Sequence, residues 1–460
     1  MAAAGLVALN LVFLVVGGSL LFVARGFRSW GEALQLGGLA YLLGVAAVAV
    51  PATWLLVLGV SVSAPVIGGI AAVLVAFGIG LGLRTGRPRP MLRQLRSGRG
   101  EPFRLLGHGV GLLVLLYLAD FLRAARLQSQ FVFSEWDAWS SWTTKAKSIY
   151  YLGGLQPHHF STLFMPGYPI LVPTLEAMGF HFMGAPDTTL LHVQFWLLLA
   201  GFVWAVAGLL RPGVPGIVLW PFVLLLLVSP QLNRLVLSPQ ADFTMDYFFA
   251  AAGLCLALWT MNRRPWELAA AGVLLAGAMC TKREGYLFTA ALLAAGLAVT
   301  WRGWRTAWPR LAATGVAAAL ATVPWQLWRA AQHLPDQLQG TTSGQLGVRL
   351  GPAASSVAQI LLGHHFWLFA VPLGIAAAAA ALAFGRAARA PAVLYLVTVV
   401  LGWVGMTWAL AAGVDYTLVP YSDQNPIPRA SGAIVLLSVA LAPLFLASAL
   451  GGRTPRTSDD

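Results

Sequence analysis

Apolar runs long enough to cross a bilayer, roughly 17–25 residues each, recur along this chain from its first residues to its last. Charged residues make up only 10% of the 460 residues and apolar ones 58%, with a mean hydropathy of +0.75. A soluble domain carries about 25% charge, so most of this surface cannot face water. No stretch is long and polar enough to form a separate soluble domain. A transmembrane barrel would alternate apolar and polar residues in short strands, whereas these runs are continuous and rich in Leu, Ala and Val. Backbone groups inside lipid must satisfy one another, which leaves helices. The expectation is an all-α polytopic membrane protein with about thirteen spans. They lie near 4–24, 33–53, 58–82, 105–123, 189–210, 216–230, 243–261, 267–281, 286–301, 311–330, 362–384, 391–411 and 430–449.

The formal net charge of +13 would suggest nucleic acid in a soluble protein. Here the arginines sit mostly in short connectors, where retention on the cytoplasmic side accounts for them, and no nucleic-acid partner is expected. The connector from Arg84 to Arg104 holds seven arginines and one glutamate, which places it in the cytoplasm. By alternation Arg25/Arg28, Arg263/Arg264, Arg302/Arg305/Arg310 and Arg386/Arg389 then fall on the same side. The outer face receives 124–188, 231–242, 331–361 and 412–429. A loop of about 60 residues is far longer than an ordinary connection, and such loops are usually functional. The first run lacks a basic leader and a cleavage site, so it reads as a retained span. Cys255 and Cys280 lie in apolar runs without metal-ligand spacing, and the tail 451–460 reads as disordered.

The outer loop opens with an amphipathic pattern. On a regular helix Trp136, Trp139, Thr143, Ala146 and Tyr150 share one stripe, and Asp137, Ser141, Thr144, Lys145 and Ser148 the other. That predicts a helix lying in the membrane interface with tryptophans at headgroup depth. Asp137, bracketed by tryptophans, is a partly desolvated carboxylate suited to act as a base. Three more ionic clusters fall on the outer face. Asp242 and Asp246 open the seventh span at i and i+4. Thr281-Lys282-Arg283-Glu284-Gly285 separates two short apolar runs, and Arg429 begins the last span after Tyr421-Ser422-Asp423-Gln424-Asn425-Pro426. Ionisable residues at membrane depth are functional candidates by default; an internal ion pair or snorkelling to the headgroups is the structural alternative. The pairs His158-His159 and His364-His365 lack ligand spacing and read as loop or interface histidines.

The order of these motifs resembles the bacterial membrane glycosyltransferases of the GT-C superfamily. Asp137-Ala138-Trp139-Ser140-Ser141-Trp142-Thr143-Thr144-Lys145-Ala146-Lys147 is followed by Tyr150-Tyr151-Leu152-Gly153-Gly154 and Tyr168-Pro169-Ile170-Leu171-Val172-Pro173. Within that superfamily the likeness is to the family 39 group of protein mannosyltransferases and aminoarabinose transferases. The run Thr281-Lys282-Arg283-Glu284-Gly285 is similar to a Thr-Lys-Asn-Glu-Gly signature of that group. The resemblance covers roughly 105–450 and leaves 1–104 as extra N-terminal helices with a basic loop.

The resemblance implies that Asp137 is the catalytic residue and Asp242 a second acidic site residue. Lys282, Arg283 and Arg429 become candidates for the phosphate of a lipid-linked donor. Lys145, Lys147, His159, Tyr168 and Glu284 complete the candidate substrate contacts. The implied partners are a polyprenyl-phosphate-linked sugar, an acceptor glycan, lipid or protein, and the lipids of the plasma membrane, with the site facing outward. No metal is required, although two outer carboxylates could bind a divalent ion. Met165-Pro166-Gly167 stand where related sequences carry His and Asp, and Arg283 stands where Asn is expected. A multi-span transporter or lipid flippase is the rival reading, with polar groups at mid-membrane and broken spans in symmetric positions. A non-catalytic envelope assembly partner is a third.

Overall fold

The computed structural model describes residues 1–86, 104–127, 136–334, 346–413, 416–422 and 425–451. Most of the arginines between Arg84 and Arg104, together with Asp423, Gln424 and the tail beyond 451, lie outside the described residues. Among the described residues the fold is helical, with no β-strand. The longer helices of the first half are α1 (Ala2–Arg25), α2 (Gly37–Val57), α3 (Ala64–Arg84), α4 (Arg104–Leu127), α5 (Thr143–Leu152), α6 (Leu171–Met183), α7 (Thr188–Leu210) and α8 (Gly216–Leu227). Those of the second are α9 (Ala241–Asn262), α10 (Pro265–Thr281), α11 (Glu284–Val299), α12 (Trp304–Leu320), α13 (Leu346–Leu362), α14 (Ala370–Phe384), α15 (Arg389–Ala412) and α16 (Gly432–Ala449).

Nine helical segments among the described residues are long and apolar enough to cross a bilayer, which makes this a multi-pass membrane protein. They contain α1, α2, α3, α4, α7, α9, α12, α15 and α16. The remaining four apolar runs of the sequence form the shorter helices α8, α10, α11 and α14. One further apolar helix, α13, occupies part of the segment 331–361 that hydropathy assigns to an outer connector. Its apolar residues are diluted by Arg349, Ser355, Ser356 and Gln359, so no continuous run marks it.

Burial divides the helices into a centre and a lipid-facing rim. The α9 segment is buried throughout and α16 almost throughout, whereas α3 and α4 expose most of their length. The exposed large apolar residues on α3 and on the middle of α4 are mostly Leu, Val, Ile and Phe, as a lipid-contacting surface requires, while an exposed Asp120–Arg123 pair marks the far end of α4. The α9 segment is also one of the two least hydropathic of the nine. A polar span is stable in a bilayer only when its polar groups turn inward, and α9 does this with Asp242, Thr244 and Asp246.

Helix association in lipid lacks a hydrophobic drive and depends on close packing and internal hydrogen bonds. The α1–α2 crossing uses both. A Cβ on Gly17 would overlap the Ala40 carbonyl, and one on Gly44 the Phe13 carbonyl. Beside this contact Asn10, Tyr41 and Gln194 tie α1, α2 and α7 together. Asn10 Nδ2 donates to Gln194 Oε1 at 2.8 Å and Tyr41 Oη to Asn10 Oδ1 at 2.7 Å. Gln194 Nε2 donates to Asn10 Oδ1 at 3.1 Å and to Tyr41 Oη at 3.0 Å.

The two ends of the bundle differ in charge. At one end Arg25 pairs with Glu32 and lies 5.2 Å from the Trp266 ring, while Arg263 covers Trp259 at 4.8 Å. Arg302 and Arg305 sit beside Trp301 and Trp304. Asp242 lies at the other end of α9, about 30 Å away by helical rise. The α10 helix returns from the arginine-rich end to deliver Lys282 beside it.

The long loop after α4 departs from the expected interfacial helix. Residues Ala138–Trp142 form a π-helical turn that leads into α5. The wider turn shifts the register that a regular helix would keep. Ser141, Lys145 and Ser148, expected on a solvated stripe, are buried, and Trp136 is exposed. The loop also contains α6, buried along nearly its whole length against α1 and α5. Replacing Gly44 with Leu forces α1 from α2 and costs about 1–3 kcal/mol. The expected outcome is a lowered thermal midpoint in detergent, whereas Gly68→Leu, with open space around it, leaves the midpoint unchanged.

Candidate functional site

The ionic groups gather at the end of the bundle away from the arginine clusters. Asp242 lies in the first turn of α9, where the helix N-terminus favours a carboxylate. Lys282 is the extended residue between α10 and α11. The break exists because Gly285 sits directly against the Ala278 carbonyl, a space no side chain fits. It aims the ammonium back at α9. Lys282 Nζ lies 2.8 Å from Asp242 Oδ1 and 2.9 Å from Glu284 Oε1.

Asp137, at the entry to the π turn, forms an ion pair with Arg429, which sits on the short helix Ile427–Ala430. Asn425 fixes that helix. Its side chain donates to Ser356 Oγ at 3.0 Å and to the Val419 carbonyl at 3.1 Å, and accepts from the Ile427 amide at 2.9 Å. Arg429 also interacts electrostatically with Asp242 and Glu284. Asp137, Arg429, Asp242, Lys282 and Glu284 therefore form one electrostatic network drawn from four separate parts of the chain. One turn deeper, Asp246 is fully buried against Gly432, and neither of its oxygens has a hydrogen-bond partner among the described residues.

A second cluster adjoins the first. Arg283 lies 4.8 Å from the centre of the Tyr168 ring and donates to the Gly167 carbonyl at 3.3 Å. Burial, reinforced by the Glu284 charge, pushes the Tyr168 phenol up. Lys145 is fully buried and donates to the Met165 carbonyl at 2.5 Å and to Ser141 Oγ at 3.1 Å. Burial first, and the nearby Arg283 charge second, lower its ammonium from 10.5 to about 7. Met165-Pro166-Gly167, the departure from the family pattern, thus supplies carbonyls to both cations.

An open cavity of about 530 Å³ begins at the Asp137–Arg429 pair. Trp136, Gln231, Arg234, Gln240, His365 and Tyr421 are among the other residues of its wall. Asp242, Lys282 and Glu284 lie behind the pair rather than in the wall. Tyr168 adjoins the network through the Glu284 and Lys282 charges that act on its phenol, and Arg283 links it to Lys145. Two candidates stand apart. Lys147 acts on Glu176 of α6, a wholly buried carboxyl that burial holds well above its usual range. His159 is exposed on the short helix Pro157–Thr162, which is anchored by Phe160 against Trp325 and Trp328. Among the described residues no group of three His, Cys, Asp or Glu side chains is arranged to hold a metal ion. The Lys282 ammonium itself bridges Asp242 and Glu284.

Sequence reasoning did not single out Gln231, Arg234, Gln240 or Phe366, and it set His365 aside. Gln231 and Gln240 fall in the connector 231–242 already assigned to the outer face. Position was therefore the available signal, because a lone glutamine carries no motif.

Two outcomes follow. Lys282→Met leaves buried carboxylates without their cation and costs about 3–5 kcal/mol; adding Asp242→Asn restores much of the lost thermal stability. The second concerns pH. Since Lys145 binds its proton less tightly in the folded state, the unfolded state holds more protons between about pH 7 and 10.5. Stability therefore rises with pH across that window and has no Lys145 contribution to its slope below it. A Lys145→Met variant, measured by denaturation at graded pH, flattens the rise. No family model, no curated protein and no solved structure matches this chain.

Proposed function

We propose that this protein is a membrane glycosyltransferase of GT-C type, crossing the plasma membrane about thirteen times with its site on the outer face. It transfers a sugar from a polyprenyl-phosphate donor to a cell-envelope acceptor. The observation that carries the reading is the placement of Asp137 and Arg429 together in the wall of one cavity, backed by Asp242, Lys282 and Glu284. A base and a bank of cations within one site are what transfer from a sugar phosphate requires. The arginine clusters at the opposite end support the orientation through the positive-inside rule. Gathering of the ionic groups at one end favours a surface site over a transport path, which needs polar groups along the membrane depth.

In the proposed reaction Asp137 takes the proton of the acceptor hydroxyl, and the oxygen attacks the anomeric carbon. The bond from that carbon to the phosphate oxygen breaks, and the electron pair leaves on the polyprenyl phosphate. The transition state has oxocarbenium character and builds negative charge on the leaving group. Arg429 offers a planar, bidentate fit to phosphate. Its pairing with Asp137 also means that an arriving phosphate competes with the base for the same guanidinium. Lys282 holds Asp242 and Glu284 in place behind it. Preorganised cations of this kind lower the barrier without reorganising during the reaction.

The test is turnover of polyprenyl-phosphate sugars by the purified protein in lipid. General-base help is worth about 10²–10⁴-fold. Asp137→Asn is therefore expected to lower transfer by that factor while the protein remains folded and membrane-inserted. Undiminished transfer by Asp137→Asn would remove this residue from the mechanism, and an outward flux of lipid or solute without glycosyl transfer would favour the transporter.

A further inference from the structure

The wall of the cavity differs from one part to another. Asp137, Arg429 and Arg234 contribute carboxylate and guanidinium groups, whereas Gln231, Gln240, His365, Phe366 and Tyr421 contribute amides and rings. The rings pack against one another: His365 lies 4.9 Å from Tyr421 and Phe366 lies 5.9 Å from it, centre to centre. Trp136, half-exposed, lines the same cavity.

Gln240 gives this part of the wall a direction. It is the residue before α9 and 4% exposed, yet its side chain does not cap the helix. Its Oε1 is buried and has no hydrogen-bond partner among the described residues. A buried acceptor left unsatisfied is costly, and native proteins retain one where a ligand or water completes it. The ligand that fits is a donor of hydroxyl hydrogen bonds with an apolar face for the rings and one anionic group for Arg429. A pyranose ring esterified to phosphate has these three properties, and a cavity of about 530 Å³ falls in the range used for small-molecule ligands.

We propose that Gln240 and the Tyr421 ring cluster form the sugar subsite of this cavity, binding the pyranose of a sugar 1-phosphate whose phosphate meets Arg429. The Gln240 carboxamide turns into the cavity it lines, so that Oε1 accepts a hydrogen bond from a ring hydroxyl, and the Tyr421 cluster covers the C–H face. This rests on the function proposed above and adds which residues read the sugar. Discrimination by a buried polar group is steep, because an analogue without the hydroxyl leaves that group unpaired.

The purified full-length chain in lipid nanodiscs is titrated with a hexose 1-phosphate and with inorganic phosphate, followed by ligand-observed NMR. The sugar phosphate is expected to bind at least about tenfold more tightly, the worth of one hydrogen bond with its packing. Gln240→Leu and Tyr421→Ala should each remove most of that increment and leave phosphate affinity unchanged. Gln240→Leu should also keep or raise the thermal midpoint, since it deletes an unsatisfied oxygen rather than a contact. A Gln240→Leu variant that still prefers the sugar phosphate overturns the subsite and leaves its oxygen to water. Phosphate binding without any sugar preference in the native chain overturns the subsite alone. Failure of both ligands to bind, together with absent transfer, overturns the proposed function with it.

Discussion

A charge inside an apolar bundle must be paired, or the group gives it up, and the Asp242–Lys282–Glu284 contact satisfies that demand at one end of the bundle. Removing ions from water costs several kcal/mol each, and mutual attraction offsets it only when the geometry is close. Here the geometry comes from two features of the backbone. The α9 helix begins at Ala241, which puts Asp242 in its first turn, and α10 breaks at Lys282, which points the ammonium back. The pairing therefore sets the relative height of α9, α10 and α11, and the surrounding helices pack around that core.

The position of the ion pair also explains the distribution of polarity elsewhere. Because α9 is enclosed on all sides, its polar residues are spared lipid, and the rim is left to helices such as α3, whose exposed side chains are apolar except for Arg84 at its end. The N-terminal helices are joined by a different device. Glycine contacts bring the α1 and α2 backbones together, and the closed Asn10–Tyr41–Gln194 triangle satisfies each of its members. A satisfied polar triangle rigidifies a core. In the cavity wall Gln240 Oε1 has no partner among the described residues.

Much of the architecture was legible in the sequence because a bilayer imposes a one-dimensional code. Length and hydropathy alone locate the apolar helices, and each of the thirteen runs corresponds to a helix. Helix α13 escaped because its polar residues interrupt the run, and α6 because a short buried helix within a long loop has no hydropathic signature. The segment around α5 differs for two reasons. A π turn has no reliable sequence mark, and tertiary packing buries both faces of α5, Thr143, Ala146 and Ile149 together with Lys145 and Ser148. The buried Lys145 ammonium donates hydrogen bonds to the Met165 carbonyl, twenty residues on, and to Ser141 Oγ.

By itself the sequence determined the helical class, the multi-pass character and the segregation of arginines into connectors, since each follows from local composition against a fixed apolar thickness. It also nominated Asp137, Asp242, Lys282, Arg283, Glu284 and Arg429 as unusual ions. Only the tertiary structure decided which of these meet. Pairing of Arg429 with Asp137 spans nearly the length of the chain after residue 136, and no local pattern encodes a contact at that separation. Tertiary packing likewise brought Gln231, Gln240, His365 and Tyr421 to one wall and left His159 outside it. Ionic contacts of this kind depend on where helices end in three dimensions, and that is fixed by packing among all of them rather than by any one.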